Sequence, residues 1–116
     1  MFRKSLKHAI DGIIHTIKSE RNFRIHLILL CITVVFGIYF RVNEIEWLSI
    51  TTIAVMVLFS ELINTAVENT LDWLEPNHHE TVKIVKDICA GAVLVCAIGA
   101  LIIGIIIFTP YVIALL

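Results

Sequence analysis

Four polar residues, Glu61, Asn64, Glu68 and Asp72, stand at i, i+3, i+7 and i+11 within an otherwise apolar stretch of the chain. At about 100° per residue they fall within roughly 80° of one another on one helix face. A carboxylate inside a membrane-spanning segment is costly, so such a stripe marks a proton, metal or substrate site. Measured from Trp47 at about 1.5 Å per residue, Glu61 lies about 21 Å into a hydrocarbon layer about 30 Å thick. Glu68 then comes near the boundary, and Asp72 projects a further turn into water.

This ladder suits a reaction joining a lipid headgroup to a water-soluble reagent, with an inner carboxylate to take a proton and outer ones to hold a metal ion. Lys86 and Asp87 stand at the start of the last apolar stretch. There a lysine can neutralise phosphate oxygens, and a helix N-terminus adds donors and a favourable dipole. Glu20 can supply a second acidic ligand at the same height. Magnesium fits this set of carboxylates, amide and water better than zinc, because no tetrahedral Cys/His arrangement is present. His78 and His79, adjacent in a polar loop, are read from the residues alone as solvated.

The elements that must carry these residues follow from composition. A chain of 116 residues that is 59% hydrophobic, with a mean hydropathy of +0.93, cannot hide its apolar surface in so small a core. It is expected to be an all-α integral membrane protein with one domain, residues 1–116. Three spans are expected, over residues 25–40, 47–74 and 84–115, the last uncharged from Ile88 onward. Residues 2–20 are expected to form an amphipathic helix on the membrane surface: Phe2, Leu6, Ile10, Ile13, Ile14 and Ile17 recur at helical spacing opposite Arg3, Lys4, Lys7, Asp11 and Lys18. Those apolar residues are periodic, not contiguous, and no small-residue cleavage site follows, which argues against a secretory signal.

Basic residues set the orientation. Arg3, Lys4, Lys7, Lys18, Arg21 and Arg24 precede the first span, only Arg41 lies between the first two, and Lys83 and Lys86 precede the third. The N-terminus and the loop between spans two and three are therefore expected to be cytoplasmic. The net charge of −1 conceals a basic N-terminal segment suited to anionic headgroups; no nucleic-acid partner is expected. Cys31, Cys89 and Cys96, odd in number and within apolar stretches, read as small apolar residues. Ala92, Cys96, Ala100 and Gly104 form a narrow face suited to close helix packing, and Pro110 is expected to fray or kink the last helix. No Gly-rich phosphate loop of the Walker type occurs, which excludes the usual soluble kinase architectures.

Together, Glu61, Asn64, Glu68, Asp72, His79, Lys86 and Asp87, the small run Ala90, Gly91 and Ala92, and the segment from Glu20 to Arg24 resemble the signature of the prokaryotic diacylglycerol kinase family. These are small three-span lipid kinases that include the undecaprenol kinases, and the likeness covers nearly the whole chain. It implies a homotrimer in the bacterial inner membrane, with active sites between protomers that use Mg-ATP to phosphorylate a lipid alcohol. By that likeness Glu61 would be the general base, Asn64 would orient the base or the lipid hydroxyl, and Glu20 and Glu68 would hold magnesium. Lys86 and Asp87 would address the nucleotide phosphates, Asp72, Asn77, His78 and His79 would lie near the nucleotide, and Arg24, Glu61 and Ala90 would meet the lipid. The stretch from Arg21 to His26 looks like the undecaprenol kinase branch. Ile10 stands where the diacylglycerol-using members would be expected to carry an aromatic. Undecaprenol is therefore the favoured acceptor, with diacylglycerol the alternative.

Two other classes compete. A small oligomeric proton-coupled transporter would explain Glu61 but gives no reason for Glu20, Glu68, Asp72 and Lys86 to gather at one height. A purely structural membrane subunit would use the same polar residues only to specify assembly.

Overall fold

The computed structural model describes residues 1–116 as four helices: α1 (Phe2–Ser19), α2 (Arg21–Phe40), α3 (Glu44–Leu74) and α4 (Glu80–Leu115). The last three are each long and apolar enough to cross a membrane. Only nine of the 116 residues are buried, and large apolar side chains are exposed along every helix. In water that surface would aggregate; in a bilayer or against neighbouring chains it is covered.

Each long helix begins about a turn before its apolar stretch, and in α3 and α4 a polar side chain caps it there. Asn43 caps α3 in a reciprocal box: its Oδ1 accepts from Glu46 N–H at 2.8 Å, and Glu46 Oε1 accepts from Asn43 N–H at 3.0 Å. His79 caps α4, its Nδ1 accepting from Thr81 N–H at 3.2 Å. A single extended residue, Glu20, separates α1 from α2. There the Arg24 guanidinium donates to the carbonyls of Ile17 and Lys18, at 2.8 and 3.0 Å, and satisfies the end of α1. Glu20 is held in place by helices on both sides.

The turn from α2 to α3 is tight. Arg41 adopts a left-handed conformation (φ 52°, ψ 52°), and the amides of Arg41 and Val42 return to the carbonyls of Ile38 and Gly37. This is the Schellman closure, in which a non-glycine residue carries some strain. Beside the turn, Val42, Ile50 and Ile107 form the buried cluster, with Trp47 and Tyr111 against it. Tyr111 also donates its hydroxyl to Glu46 Oε1 at 2.5 Å, tying α4 to the cap of α3.

Gly37 is where α2 and α3 come closest. A Cβ there would sit 2.5 Å from the Trp47 ring, so the indole or the helix must move. Gly37→Ala is accordingly expected to destabilise the protein by about 1–3 kcal/mol through overpacking. Denaturation in detergent micelles followed by tryptophan fluorescence checks this; a wild-type midpoint refutes it.

α3 packs mainly on α4 and secondly on α2, while α1 rests on α2 and α3. Between α2 and α4 the contact is a group of rings near the turn end, with Phe40 and Tyr111 stacked at 5.6 Å and Phe36 and Phe108 edge to face at 6.5 Å. Away from those rings α2 and α4 diverge over α3 and leave an apolar groove of about 710 Å³.

Two sequence expectations about α4 change. The helix continues through Pro110 to Leu115 without fraying, the proline giving up only its own amide. The small-residue face does not make the expected close approach within the chain: Gly104 meets nothing within 4 Å, because with Ala100 it faces the groove. α3 comes nearest instead at Gly99, where Ile53 Cδ1 lies 3.4 Å from a built Cβ.

Candidate functional site

α3 grades its polar stripe from buried to wet. Glu61 is 4% exposed, Asn64 and Glu68 are partly buried, and Asp72 is exposed. The cause is packing: α2 and the end of α1 cover the middle of α3, whereas its last turns run beyond them. At about 1.5 Å per residue the 31-residue helix is about 46 Å long and outreaches a hydrocarbon layer of about 30 Å.

Glu61 meets α2 through His26, whose Nε2 lies 3.3 Å from Glu61 Oε1. The charges of Glu20, at the α1–α2 junction, and Glu68, two turns along α3, both act on the Glu61 carboxylate. Of these three acids, from two separate segments, Glu61 is the buried one. Two polar atoms beside it are buried without a partner, Asn64 Oδ1 and Thr65 Oγ1. A buried acceptor left unpaired costs about 1–3 kcal/mol, and such atoms stand where a ligand is to be bound.

That donor set fits a hard divalent cation. Nowhere do three His, Cys, Asp or Glu side chains converge as a ready-made metal cage. Magnesium does not require one, since it binds through one or two carboxylates and takes its remaining oxygens from water and substrate phosphates. Glu20 and Glu68 can supply the two carboxylates, and the unpaired amide oxygen of Asn64 adds a neutral donor.

Farther along the stripe, Lys86 of α4 pairs with Asp72 of α3. Asp87 points elsewhere on α4 and pairs with Lys83 one turn back, at 2.6 Å. Both acids are exposed, so neither pair adds much stability, and the lysines remain available to a more highly charged partner. Asn77 and His78 are exposed in the short loop, where no side-chain partner holds them; His79 spends Nδ1 on capping α4. Arg24 uses one nitrogen on α1, and Ala90 is exposed on α4.

His26 and Thr65 were not singled out from the sequence. Thr65 could have been found from spacing, since it stands four residues after Glu61 on the same face. His26 carries a weaker local signal: it lies three residues after Phe23, the most deeply buried large side chain, and so on the inward face of α2. Its relation to Glu61 depends on how two helices meet.

His26 also lines the end of the groove nearest Glu61. From there the groove runs between Leu30, Ala54 and Val57 on one side and Gly104 and Phe108 on the other, toward Ile113. It is apolar over nearly its whole length, and His26 is the residue through which it borders Glu61.

The chain is similar to known proteins over most of its length. The sequence profile of the family described as prokaryotic diacylglycerol kinase matches residues 7–108. The chain is 40% identical to the undecaprenol kinase of Bacillus subtilis (strain 168) over 109 residues, 94% of this chain and 89% of that one. It is 38% identical to a diacylglycerol kinase of Synechocystis sp. over 86% of its own length and 58% of that protein's. It is 28% identical to the diacylglycerol kinase of Haemophilus influenzae over 90% of each chain.

Proposed function

The chain belongs to the prokaryotic diacylglycerol kinase family and is a membrane lipid kinase with ATP as its phosphoryl donor, and from that premise we propose that it phosphorylates undecaprenol, with Glu61 as general base and magnesium held by Glu20 and Glu68. The buried Glu61 carboxylate, within electrostatic reach of both other acids and beside His26, which lines an apolar groove, carries the reading. The acceptor assignment is supported by the 40% identity, over nearly the whole chain, to a protein named undecaprenol kinase. Diacylglycerol is the second acceptor, since two further relatives are named for it.

In this mechanism Glu61 accepts the hydroxyl proton as the lipid oxygen attacks the γ-phosphorus. The new O–P bond forms, the bond to the β–γ bridging oxygen breaks, and ADP leaves. Such a transfer asks the protein mainly to align reactants and neutralise charge. Bound magnesium would supply charge neutralisation on the phosphate oxygens. Asn64 orients the base or the lipid hydroxyl. Lys86 exchanges Asp72 for nucleotide phosphate, and Asp87, Asp72, Asn77, His78 and His79 border the nucleotide at the membrane face. Arg24 and Ala90 border the lipid. The basic N-terminal segment, as a surface helix, and the loop before α4 face the cytoplasm of the bacterial inner membrane, in keeping with the placement of Lys and Arg. The exposed apolar faces of α2, α3 and α4 suit assembly as a homotrimer.

The test is an acceptor comparison. Purified protein in detergent with Mg-ATP and either undecaprenol or diacylglycerol should phosphorylate undecaprenol with the higher kcat/KM. A preference for diacylglycerol transfers the reading to the second acceptor, and phosphorylation of neither lipid refutes it.

A further inference from the structure

We propose that His26 is the positioning residue of the Glu61 carboxylate, fixing which of its oxygens faces the arriving lipid hydroxyl; this rests on Glu61 acting as the base. Glu61 is 4% exposed, and no hydrogen bond from its own helix reaches its carboxylate. Asn64, one turn away, makes no hydrogen bond to it, and the Thr65 hydroxyl is unpaired. The contact that reaches Glu61 comes from α2, where His26 Nε2 stands 3.3 Å from Oε1. With its proton on Nε2 the neutral imidazole is a donor within reach of that oxygen. The separation is long for a hydrogen bond, as catalytic contacts commonly are before substrate binds and tightens them.

The placement of the ring supports this role. His26 is 21% exposed at its side chain, with one edge on Glu61 and another on the apolar groove. α2 places it one turn after the buried Phe23, on the inward face of the helix. The residue type also suits the task. A permanent cation at this distance would hold the carboxylate ionised and weaken it as a base, whereas an imidazole donor orients it at smaller cost to basicity. With Oε1 occupied by His26, Oε2 is the oxygen left to take the proton.

Two substitutions separate donation from packing. His26→Phe keeps an aromatic ring of similar size and removes the donor; His26→Gln keeps an N–H at similar reach and removes the ring. Loss of a partner that orients a functional group typically costs about 10–100-fold. His26→Phe should lower kcat by at least about tenfold with KM for Mg-ATP unchanged, and His26→Gln should stay within about threefold of wild type. A wild-type rate in His26→Phe, or equal losses in both variants, overturns the proposal. A readout independent of activity that leaves His26 itself in place is the ¹⁵N resonance of its ring, which should move on Glu61→Gln. An unmoved resonance also overturns it. An active Glu61→Gln enzyme would instead refute the base assignment, while the ring resonance would still report whether the two side chains touch.

Discussion

Glu61→Gln should lower kcat for lipid phosphorylation by about 10²-fold or more, the usual contribution of a general base, with KM for Mg-ATP little changed. The two side chains have nearly the same shape, so the 4% exposed site stays filled. The amide retains an oxygen toward His26, and what is lost is the capacity to hold a proton. The same substitution bears on stability in a way that separates function from structure. Burying a carboxylate carries a desolvation penalty that a single imidazole contact at 3.3 Å offsets only in part. Glu61→Gln should therefore leave the detergent-phase melting temperature equal to or above that of wild type. If Glu61 served only to join helices, the melting temperature would fall and the rate would hold. A rate within about tenfold of wild type removes Glu61 from the base role.

A buried acid retained at a cost in stability also explains which parts of this protein were legible in one sequence. The helical stripe was legible because periodicity within one helix requires no knowledge of neighbours: Glu61, Asn64, Glu68 and Asp72 share a face as soon as the stretch is helical, and α3 runs unbroken from Glu44 to Leu74. Asp72 and Lys86 could be expected at one height, since they flank a short loop, and the two side chains meet. The pairing of Asp87 with Lys83 was a local i, i+4 possibility that was outweighed by the interest of its neighbour Lys86. His26 was not legible, because its contact with Glu61 depends on the angle at which α2 crosses α3. The groove was not legible for the same reason: Ala100 and Gly104 gave a small-residue face, which equally well describes a tight helix contact or the wall of a cleft. Only the divergence of α2 from α4 decides between them. The early starts of the long helices come from caps. Asn43 and His79 are polar and lie outside the apolar stretches, so hydropathy places the boundary a turn late.

The shared electrostatic influence of Glu20 and Glu68 on Glu61 has a consequence for how these acids respond to substitution. Glu20 lies between two helices and Glu68 about 10 Å along α3 from Glu61, yet both act on the same carboxylate. A divalent cation held by Glu20 and Glu68 would neutralise their charge as well as that of phosphate. Nucleotide binding and metal binding should therefore be linked, each drawing the other to the α1–α2 junction.

From that linkage, Glu68→Gln should raise the magnesium concentration needed for half-maximal activity and lower kcat/KM for Mg-ATP on the order of 10²-fold, since it removes one of the two carboxylates proposed to hold the ion. Glu20→Gln should behave alike. The double variant is the more telling measurement. Residues that act on one ion are not independent, so removing the second carboxylate should cost far less than the first, and the combined loss should fall well short of the product of the single losses. Magnesium titrations of wild type, both single variants and the double variant give the coupling directly. Multiplicative losses would mean that Glu20 and Glu68 do not share an ion. Losses that no magnesium concentration reverses, alongside an unchanged melting temperature, would point to a direct effect of the two charges on Glu61. Sharing of one ion also predicts that high magnesium, unlike ordinary magnesium, separates the variants, with partial rescue of each single variant and little of the double, because one remaining carboxylate still binds the cation weakly and with both removed none is left to hold it.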